Sequence, residues 1–280
     1  MTPPLNIGCG ARYHEHWINL DLASSSEHVT ACDLRRHIPL PDASVPFVYS
    51  SHMLEHLRQD EAEVLMSEVH RVLAPGGIAR IVVPDLAKLA RWYLEAVEGN
   101  DKGAEWSRIH LIDQLVRDRS GGTMRPFLER ADPSDVAYAL RHMGSEVLSC
   151  VNTNGRPDRS FTKRLRQIWR PGIARRALAR LRVEGSKAFI GLTLGARGRE
   201  AFDIGWFATS GERHRWMYDV QNLSELFRSA GFVDVREQTA LTSSWPEWTH
   251  ENLDVDADGT VYKPESIFME GSKSAAATSA

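Results

Sequence analysis

The sequence has few cysteines, no long apolar run and little net charge. Three cysteines, Cys9, Cys32 and Cys150, occur in 280 residues without a Cys-x-x-Cys pair, which argues against a disulfide scaffold or a cysteine-based zinc site. No apolar run approaches the roughly 20 residues that cross a bilayer, and the amino terminus lacks the features of a signal peptide. The formal charge of −3 gives no global basic field for nucleic acid. We therefore expect a cytoplasmic protein with no nucleic-acid partner.

The small net charge conceals an uneven distribution. Residues 156–182 contain ten Lys or Arg against Asp158 alone, a net of +9, so the rest of the chain carries −12. Three interpretations remain open for this basic segment: a solvated helical face, a lid for an anionic or large polar substrate, or a docking face. Ile173, Leu178 and Leu181 lie at helical spacing, so docking could involve the protein body, a partner or peripheral contact with a membrane.

The composition is that of a folded protein, with 42% apolar and 25% charged residues. Short apolar runs at 5–8, 17–22, 29–32, 47–51 and 78–83 alternate with helical spacing at 60–73 and 85–97. Alternating strands and helices predict an α/β fold with a parallel sheet and helices on its faces. Ligands bind such sheets at the carboxyl ends of the strands.

The pattern weakens after residue 98 and resumes near residue 212. Helices are expected at 104–119, 133–150 and 222–230, and late strands at 232–238 and 266–270. We therefore predict a core formed by 1–98 and 212–271, interrupted by an insertion at 99–211 that builds substrate specificity. The small and polar residues 272–280 predict a disordered tail.

Chemistry-bearing residues follow the first three strands. Gly8-Cys9-Gly10 forms a turn where the backbone can approach a ligand closely. Asp21 ends the second apolar run, where a carboxylate can accept hydrogen bonds from ribose hydroxyls. Asp33 follows the third run. A dehydrogenase would prefer Gly-x-Gly-x-x-Gly, and the third glycine is replaced by Tyr13.

Together these segments resemble the class I S-adenosylmethionine-dependent methyltransferases, specifically the branch known as type 11. The resembling stretches are LNIGCG, INLD, CDL, the run from IPLPDASVPFVYSSHMLEHL to EVHRVLAPGGIARIVVPD, HRWMYDVQNLSELFRSAGFVDV and PESIFMEGSK. The resemblance covers about residues 4–98 and 212–271. It implies a Rossmann-like, seven-stranded methyltransferase sheet with helices on both faces and a largely helical insertion.

The resemblance also implies a site for S-adenosyl-L-methionine. The residues expected to line it are Asn6, Gly8, Cys9, Gly10, Tyr13, Asp21, Asp33, Leu34, Ser51 and His52. One departure is the short spacing of eleven residues from Gly10 to Asp21, which leaves no room for a full helix. We expect the intervening loop, residues 12–16, to fold over the cofactor.

Methyl transfer to a hydroxyl needs a group that removes the proton, or a metal that lowers the hydroxyl's pKa. His52, Glu55 and His56 follow the fourth strand, and a similar ExxEH arrangement binds a divalent cation in quinone-pathway O-methyltransferases. Glu55 and His56 are therefore candidate ligands for Mg²⁺, although packing without a metal is the alternative. Further catalytic candidates are His142 and His214, because imidazole accepts protons near neutral pH.

The acceptor is the least determined feature. Six of the eight tryptophans lie outside the N-terminal half of the predicted sheet and could stack on sugar rings. The SSWPEW and PESIFMEG segments resemble methyltransferases found among glycan-modifying enzymes. We therefore expect O-methylation of a small molecule, a sugar or oligosaccharide, as in polysaccharide biosynthesis. N-methylation, another natural product and a non-catalytic cofactor-binding scaffold remain alternatives.

Overall fold

The computed structural model describes residues 2–24, 26–147 and 173–275, including their side chains except those of 173–180. Its centre is a seven-stranded sheet in the order β3-β2-β1-β4-β5-β7-β6. β7 runs antiparallel to both of its neighbours, whereas β1 to β5 are parallel. The strands are β1 Leu5–Ile7, β2 Ile18–Asp21, β3 Val29–Ala31, β4 Val45–Ser51, β5 Leu73–Pro84, β6 Val233–Gln238 and β7 Ser266–Ser272. The predicted α/β class and seven-stranded Rossmann-like sheet are confirmed.

The strand order changes direction beside β1. The chain moves outward from β1 through β2 to β3, then returns to form β4 on the other side of β1. In this parallel pair, Ile7 lies opposite Ser50, so the carboxyl ends of β1 and β4 are neighbours. A crevice outside such a switch in strand order is the usual ligand site of an open α/β sheet.

The helices follow the apolar spacing of the sequence. In the first helix, α1 (Gln59–Val72), the side chains of Ala62, Leu65, Val69 and Val72 lie on the buried face, whereas Val64 lies toward solvent. α1 ends just before β5 begins. The helices are α1 Gln59–Val72, α2 Leu86–Glu98, α3 Ala104–Val116, α4 Met124–Arg130, α5 Pro133–Met143, α6 Ile173–Ala208, α7 Val220–Ser229 and α8 Trp248–Glu251, with a 3-10 turn at Leu54–His56.

Two helix starts are capped by aspartates. The Asp85 carboxylate accepts hydrogen bonds from the first-turn amides of α2, and Asp132 does the same for α5, whose first residue is Pro133. α5 ends at Met143, before the predicted residue 150. Gly144 has a φ of +69°, and a Cβ there would lie 2.0 Å from the carbonyl oxygen of Tyr262, so the chain turns where only glycine fits.

The sheet has an unequal covering on its two faces. On one face, α1 and α7 contribute side chains such as Leu65 and Phe227 to the main core. On the other face, residues 240–255 contribute Trp248 and Leu253, and Trp245 stacks on Phe47 with ring centroids 4.2 Å apart. The insertion has a core of its own, centred on the buried Trp106 of α3. The helical insertion is therefore a separately packed layer.

An ion cluster lies between the sheet and residues 240–255, which are hereafter called the covering segment. Arg80 of β5 is fully buried, and its guanidinium contacts the carboxylates of Asp254 at 2.7 Å and Glu270 at 2.9 Å. It also lies over the ring of Trp248, 4.4 Å from the centroid. A buried arginine needs several acceptors, and this set ties the covering segment to the sheet.

The long helix α6 bends at Gly195, where φ is +67°. Among the described residues, no helix combines the length and apolarity needed to cross a membrane. Most of the basic segment 156–182 lies outside the described side chains, so its docking or membrane role remains a prediction. At the carboxyl end, β7 reaches Ser272 and the Lys273 ammonium donates to the carbonyls of His70 and Leu73, both at 2.8 Å. Ordered structure therefore enters the predicted tail 272–280.

Candidate functional site

A cavity of about 410 Å³ opens at the carboxyl ends of β1 to β4. Its walls contain many of the residues predicted for a cofactor. These are Gly8, Gly10, Asp21, Asp33, Leu34 and His52. The helical insertion closes its outer side through Thr209, Ser210 and Gly211. This cavity is hereafter the cofactor cavity.

The glycine turn shapes its floor. Gly8 and Gly10 have φ angles of +66° and +55°, which residues with a Cβ rarely adopt. A Cβ at Gly8 would lie 2.4 Å from Cγ of Met53, whereas a Cβ at Gly10 would meet no atom within 4 Å. Gly8 is therefore required by packing as well as by conformation, and Gly10 leaves open space beside the cavity.

Two carboxylates lie at the strand ends, as predicted. Asp21 accepts hydrogen bonds from the amides of Gly10 at 2.9 Å and Ala23 at 3.2 Å, which ties the turn after β1 to the end of β2. Asp33 pairs with Arg35, whose hydrogen bonds lower the pKa of that carboxyl to about 2. At the cavity wall, Asp21 is therefore held by hydrogen bonds from backbone amides and Asp33 by its ion pair with Arg35.

Other predicted cofactor residues lie elsewhere. Asn6, Cys9 and Ser51 line a smaller adjoining cavity of about 200 Å³, which shares Gly8, Gly10 and His52 with the cofactor cavity. Burial, followed by the charge of Asp21, raises the pKa of the Cys9 thiol to about 12, so this cysteine is not a nucleophile at neutral pH.

The loop of residues 12–16 does not fold over the cofactor cavity. The Arg12 guanidinium donates to the carbonyls of Leu253 and Val255 and pairs with Asp256 at 2.9 Å. The Tyr13 hydroxyl bonds Ser26 at 2.8 Å, and Tyr13 lines none of the three cavities described here. The loop instead ties residues 251–256 to the sheet, because the Arg12 guanidinium and the imidazoles of His14 and His16 find partners there.

A second cavity, of about 340 Å³, adjoins the first. His52, His56 and Gly211 line both, so they mark the junction. This second cavity, hereafter the acceptor cavity, is bounded by the sheet end and by the helical insertion. Its polar and charged lining residues are His52, Glu55, His56, Gln114, Arg117, Arg125, Glu146, Glu212, His214, Lys263 and Glu265.

Three sequence candidates meet at the junction. His52 has a φ of +52°, and its Nε2 is 2.8 Å from the Ser266 hydroxyl. Its Nδ1 is 3.4 Å from the Glu55 carboxylate. Glu55 is fully buried, and this burial raises its pKa to about 8, whereas burial lowers the pKa of His56. A non-glycine residue in the left-handed region beside a cavity is a common sign of a functional site.

His214 joins this group from a distant part of the chain. Its Nε2 lies 3.9 Å from the Glu55 carboxylate, and its ring meets that of His56 edge to face at 4.7 Å. Burial, then the neighbouring His56, holds the pKa of His214 well below its usual range. The segment is anchored because the amides of Arg215 and Trp216 both donate to the Glu55 carbonyl.

His142 is not part of this group. Its ring stacks on Tyr138 at 4.1 Å and lies edge to face with Trp92, at a separate cleft beside α2. Its Nδ1 is 2.8 Å from the Tyr138 carbonyl, the usual distance of a hydrogen bond to the preceding helical turn. Its predicted catalytic role is therefore not supported by its position.

Several lining residues escaped sequence analysis. Lys263 and Glu265 come just before β7. The Lys263 side chain is 12% exposed, whereas Glu265 is buried, and burial raises the pKa of Glu265 to about 8. Lys263 pairs with Glu146 at 3.1 Å. The only available signal was the acidic and basic pair flanking Pro264 ahead of an apolar strand. Arg117 and Gln114 come from the insertion, whose sequence carries no recognisable motif.

The tryptophans do not form the predicted stacking surface at the site. Trp106 and Trp248 are fully buried in cores, and Trp245 packs on Phe47. Trp216 lines a different cleft, beside Tyr218. None of the tryptophans among the described side chains lines the cofactor or acceptor cavity.

Comparisons with known proteins find similarity to methyltransferases. A family model described as a methyltransferase domain matches residues 5–81. Among solved structures, an S-adenosylmethionine-dependent methyltransferase from Mesorhizobium loti is 24% identical over 31% of this chain and 48% of its own, with a TM-score of 0.26. The chain thus spans about half of that protein.

Two further methyltransferase structures match over most of the chain. One, from Thermotoga maritima, is 11% identical, with 97% of this chain and 82% of that chain covered and a TM-score of 0.41. The other, from Archaeoglobus fulgidus, is 13% identical, with coverages of 97% and 86% and a TM-score of 0.38. The comparison with curated proteins gives no match. These similarities are distant, so they specify neither an acceptor nor a mechanism.

Proposed function

We propose that the chain, whose residues 5–81 match a family model described as a methyltransferase domain, is a class I S-adenosylmethionine-dependent methyltransferase that methylates a small molecule bound in the acceptor cavity. The observation that carries the proposal is the junction of the two cavities. The first lies where this fold binds its ligand, and the second is lined by buried titratable groups. His52 and His56 lie at the opening between them.

The cofactor cavity fits S-adenosylmethionine by its own features. The open space at Gly10 and the positive φ of both turn glycines allow close approach of a ligand to the backbone. Asp21 would hold the ribose hydroxyls, and Asp33 and Leu34 would flank the adenine. When bound, S-adenosylmethionine supplies a methyl group on a positively charged sulfur: the acceptor's lone pair would bond the methyl carbon, and the electrons of the broken sulfur–carbon bond would stay on the sulfur.

The acceptor's hydroxyl proton must leave as the new bond forms. His56 is suited to influence this step because its Nδ1 is 3.2 Å from the Arg213 carbonyl. A carbonyl only accepts, so Nδ1 carries the hydrogen and Nε2 presents a lone pair. That lone pair can take the proton, or it can bind a cation that lowers the hydroxyl's pKa. Mg²⁺ was the cation expected from the sequence.

We also propose a hydroxyl acceptor on a polar molecule such as a saccharide unit. The support is the lining of the acceptor cavity, where cationic, anionic and amide groups can exchange hydrogen bonds with several hydroxyls. Its volume of about 340 Å³ fits one small unit rather than a long chain. An amine acceptor, or a different natural product, is the alternative that the same imidazoles could serve.

Calorimetry with S-adenosylmethionine tests the first half of the proposal. We expect one equivalent to bind per chain, and Asp21→Asn to weaken binding at least about tenfold, near 1.4 kcal/mol. Asp258→Asn is the matched control, because this exposed carboxylate bonds only Thr260 and lies away from both cavities. Absence of binding by the natural chain would refute the proposal.

Release of S-adenosylhomocysteine tests the second half, with sugars, phenols and amines offered as acceptors. We expect sugars to stimulate release and His56→Ala to abolish the stimulation, while His142→Ala retains it. Stimulation by amines alone would establish N-methylation. Tight cofactor binding without release for any acceptor class would favour the non-catalytic scaffold.

A further inference from the structure

Three potential metal ligands converge on the acceptor cavity from two distant segments. Glu55 and His56 lie in the 3-10 turn after β4, and His214 lies before α7, more than 150 residues later in the chain. One carboxylate oxygen and one nitrogen from each imidazole lie within 4.8 Å of one another. A modest contraction of these distances would give the spacing of ligands around one ion.

Three polar atoms of this group lack hydrogen-bond partners among the described residues. Both carboxylate oxygens of Glu55 and the Nδ1 of His214 are buried and have no hydrogen-bond partner among the described residues. Their side chains are only 0% and 3% exposed. Buried carboxylates are nearly always paired, hydrogen-bonded or bound to a metal. A cation between these side chains would give the buried Glu55 carboxylate the partner that it lacks.

The basic side chains near Glu55 do not act as partners of its carboxylate. Lys263 lines the same cavity, but its ammonium pairs with Glu146 at 3.1 Å. The His52 Nδ1 is 3.4 Å from Glu55, which is beyond normal hydrogen-bond length, and its Nε2 is engaged by Ser266. His52 therefore lies beside Glu55 without forming a hydrogen bond to its carboxylate.

The orientation of His56 is that of a metal ligand. Its Nδ1 points to the Arg213 carbonyl, and a ligating histidine characteristically donates its second ring nitrogen to such an acceptor. The backbone that supplies this carbonyl is directly joined to His214. One segment therefore orients one ligand and contributes another.

The donor set distinguishes among metal ions. Mg²⁺ prefers six oxygen ligands, whereas two imidazoles with one carboxylate suit Zn²⁺, Fe²⁺, Mn²⁺ or Co²⁺. Three protein ligands also leave coordination positions open, as in catalytic sites. We propose that Glu55, His56 and His214 bind one divalent transition metal ion, with an open position facing the acceptor cavity.

In the proposed function, an acceptor hydroxyl would occupy the open position of the metal ion. Only this part of the inference rests on the proposed function. Binding of the ion itself depends on the three side chains alone. Metal binding without S-adenosylmethionine binding would therefore refute the proposed function and keep this inference, and the reverse result would do the opposite.

The test uses the full chain after treatment with a chelator and dialysis. Co²⁺ is added while its visible absorption is recorded, and Zn²⁺ binding is measured by calorimetry. We expect one equivalent per chain, visible bands of a nitrogen- and oxygen-ligated Co²⁺, and no displacement by excess Mg²⁺. Failure of the natural chain to bind either ion, or displacement by Mg²⁺, would overturn the inference.

Variants locate the ion. We expect His214→Ala and Glu55→Gln each to weaken Zn²⁺ binding at least about tenfold, since each removes one of three ligands. His142→Ala is the matched control, a half-buried histidine on a different cleft, and should bind as the natural chain does. Circular dichroism of each variant checks folding. Unchanged Zn²⁺ affinity in a folded His214→Ala or Glu55→Gln variant would refute the assigned ligands.

Discussion

Replacement of Gly8 by alanine tests how the cofactor cavity is built. The added Cβ would lie 2.4 Å from Cγ and 2.6 Å from Cβ of Met53, far inside contact distance. The φ of +66° adds a second penalty, because a residue with a Cβ in the left-handed region costs roughly 1–2 kcal/mol. Overpacking typically adds about 1–3 kcal/mol. We therefore expect Gly8→Ala to lower the free energy of unfolding by about 2–5 kcal/mol.

Gly10→Ala separates the two penalties. Gly10 has a similar φ of +55°, but a Cβ there would meet no atom within 4 Å. We expect this variant to lose only the conformational part, roughly 1–2 kcal/mol. The measurement is urea unfolding followed by tryptophan fluorescence, with the midpoint and the slope compared between variants.

A double-mutant cycle identifies the contact responsible. Met53→Gly removes Cβ and Cγ, the two side-chain atoms with which a Cβ at Gly8 would clash. We expect Gly8→Ala to cost about 1–3 kcal/mol less in the Met53→Gly background than in the natural chain. Equal destabilisation by Gly8→Ala and Gly10→Ala, together with no coupling to Met53, would refute this account of the turn.

The same variants bear on ligand binding. Met53 lines the cofactor cavity, so a Met53 side chain displaced by a new Cβ has to change the cavity's shape. We expect Gly8→Ala to weaken S-adenosylmethionine binding at least about tenfold, near 1.4 kcal/mol, in chains that remain folded. Calorimetry below the unfolding transition checks this value. Unchanged affinity would mean that the displaced side chain moves away from the ligand.

Two further predictions concern stability. Arg80→Leu leaves the buried carboxylates of Asp254 and Glu270 uncompensated, so we expect it to lower the free energy of unfolding in urea by about 3–5 kcal/mol. Arg35→Leu breaks an exposed ion pair and should lower it by less than about 1 kcal/mol. Similar losses in the two variants would contradict this prediction. Burial lowers the pKa of His110 to about 3. Between pH 6.5 and pH 3 this histidine is therefore protonated in the unfolded chain and neutral in the folded chain. The free energy of unfolding then falls by up to about 1.4 kcal/mol for each pH unit of acidification in that range. His110→Gln should remove that contribution, and an identical pH slope in the variant would refute it.

Local sequence patterns predicted the nucleotide-binding half of the fold well. Period-2 and period-3.6 spacing marks elements whose apolar faces pack on immediate neighbours in the chain, so β1 to β5, α1 and α2 could be located. Asp85 and Asp132 were predictable caps because a cap acts within three residues of itself. Gly8, Gly10, Asp21 and Asp33 were identifiable for the same reason, since each lies directly after a strand.

The other face of the sheet was not predictable in this way. Residues 240–255 cover it with one short helix, α8, and irregular chain, and they are held by Arg80 and by the loop of residues 12–16. These contacts join positions more than 150 residues apart, and no local spacing signals them. The expectation that this loop covers the cofactor was wrong for that reason, because its cations find their acceptors in a distant segment.

The sequence by itself determined the strands and helices of the first half of the chain and the carboxylates at the strand ends, because those features depend on short-range periodicity and on residues that follow a strand directly. Only the tertiary structure decided which histidines act together. His56 and His214 meet although they are far apart in the chain, while His142 packs on Tyr138 at a different cleft. Their grouping follows from how the chain returns to the sheet before α7, which buries the Glu55 carboxylate between them without a hydrogen-bond partner among the described residues.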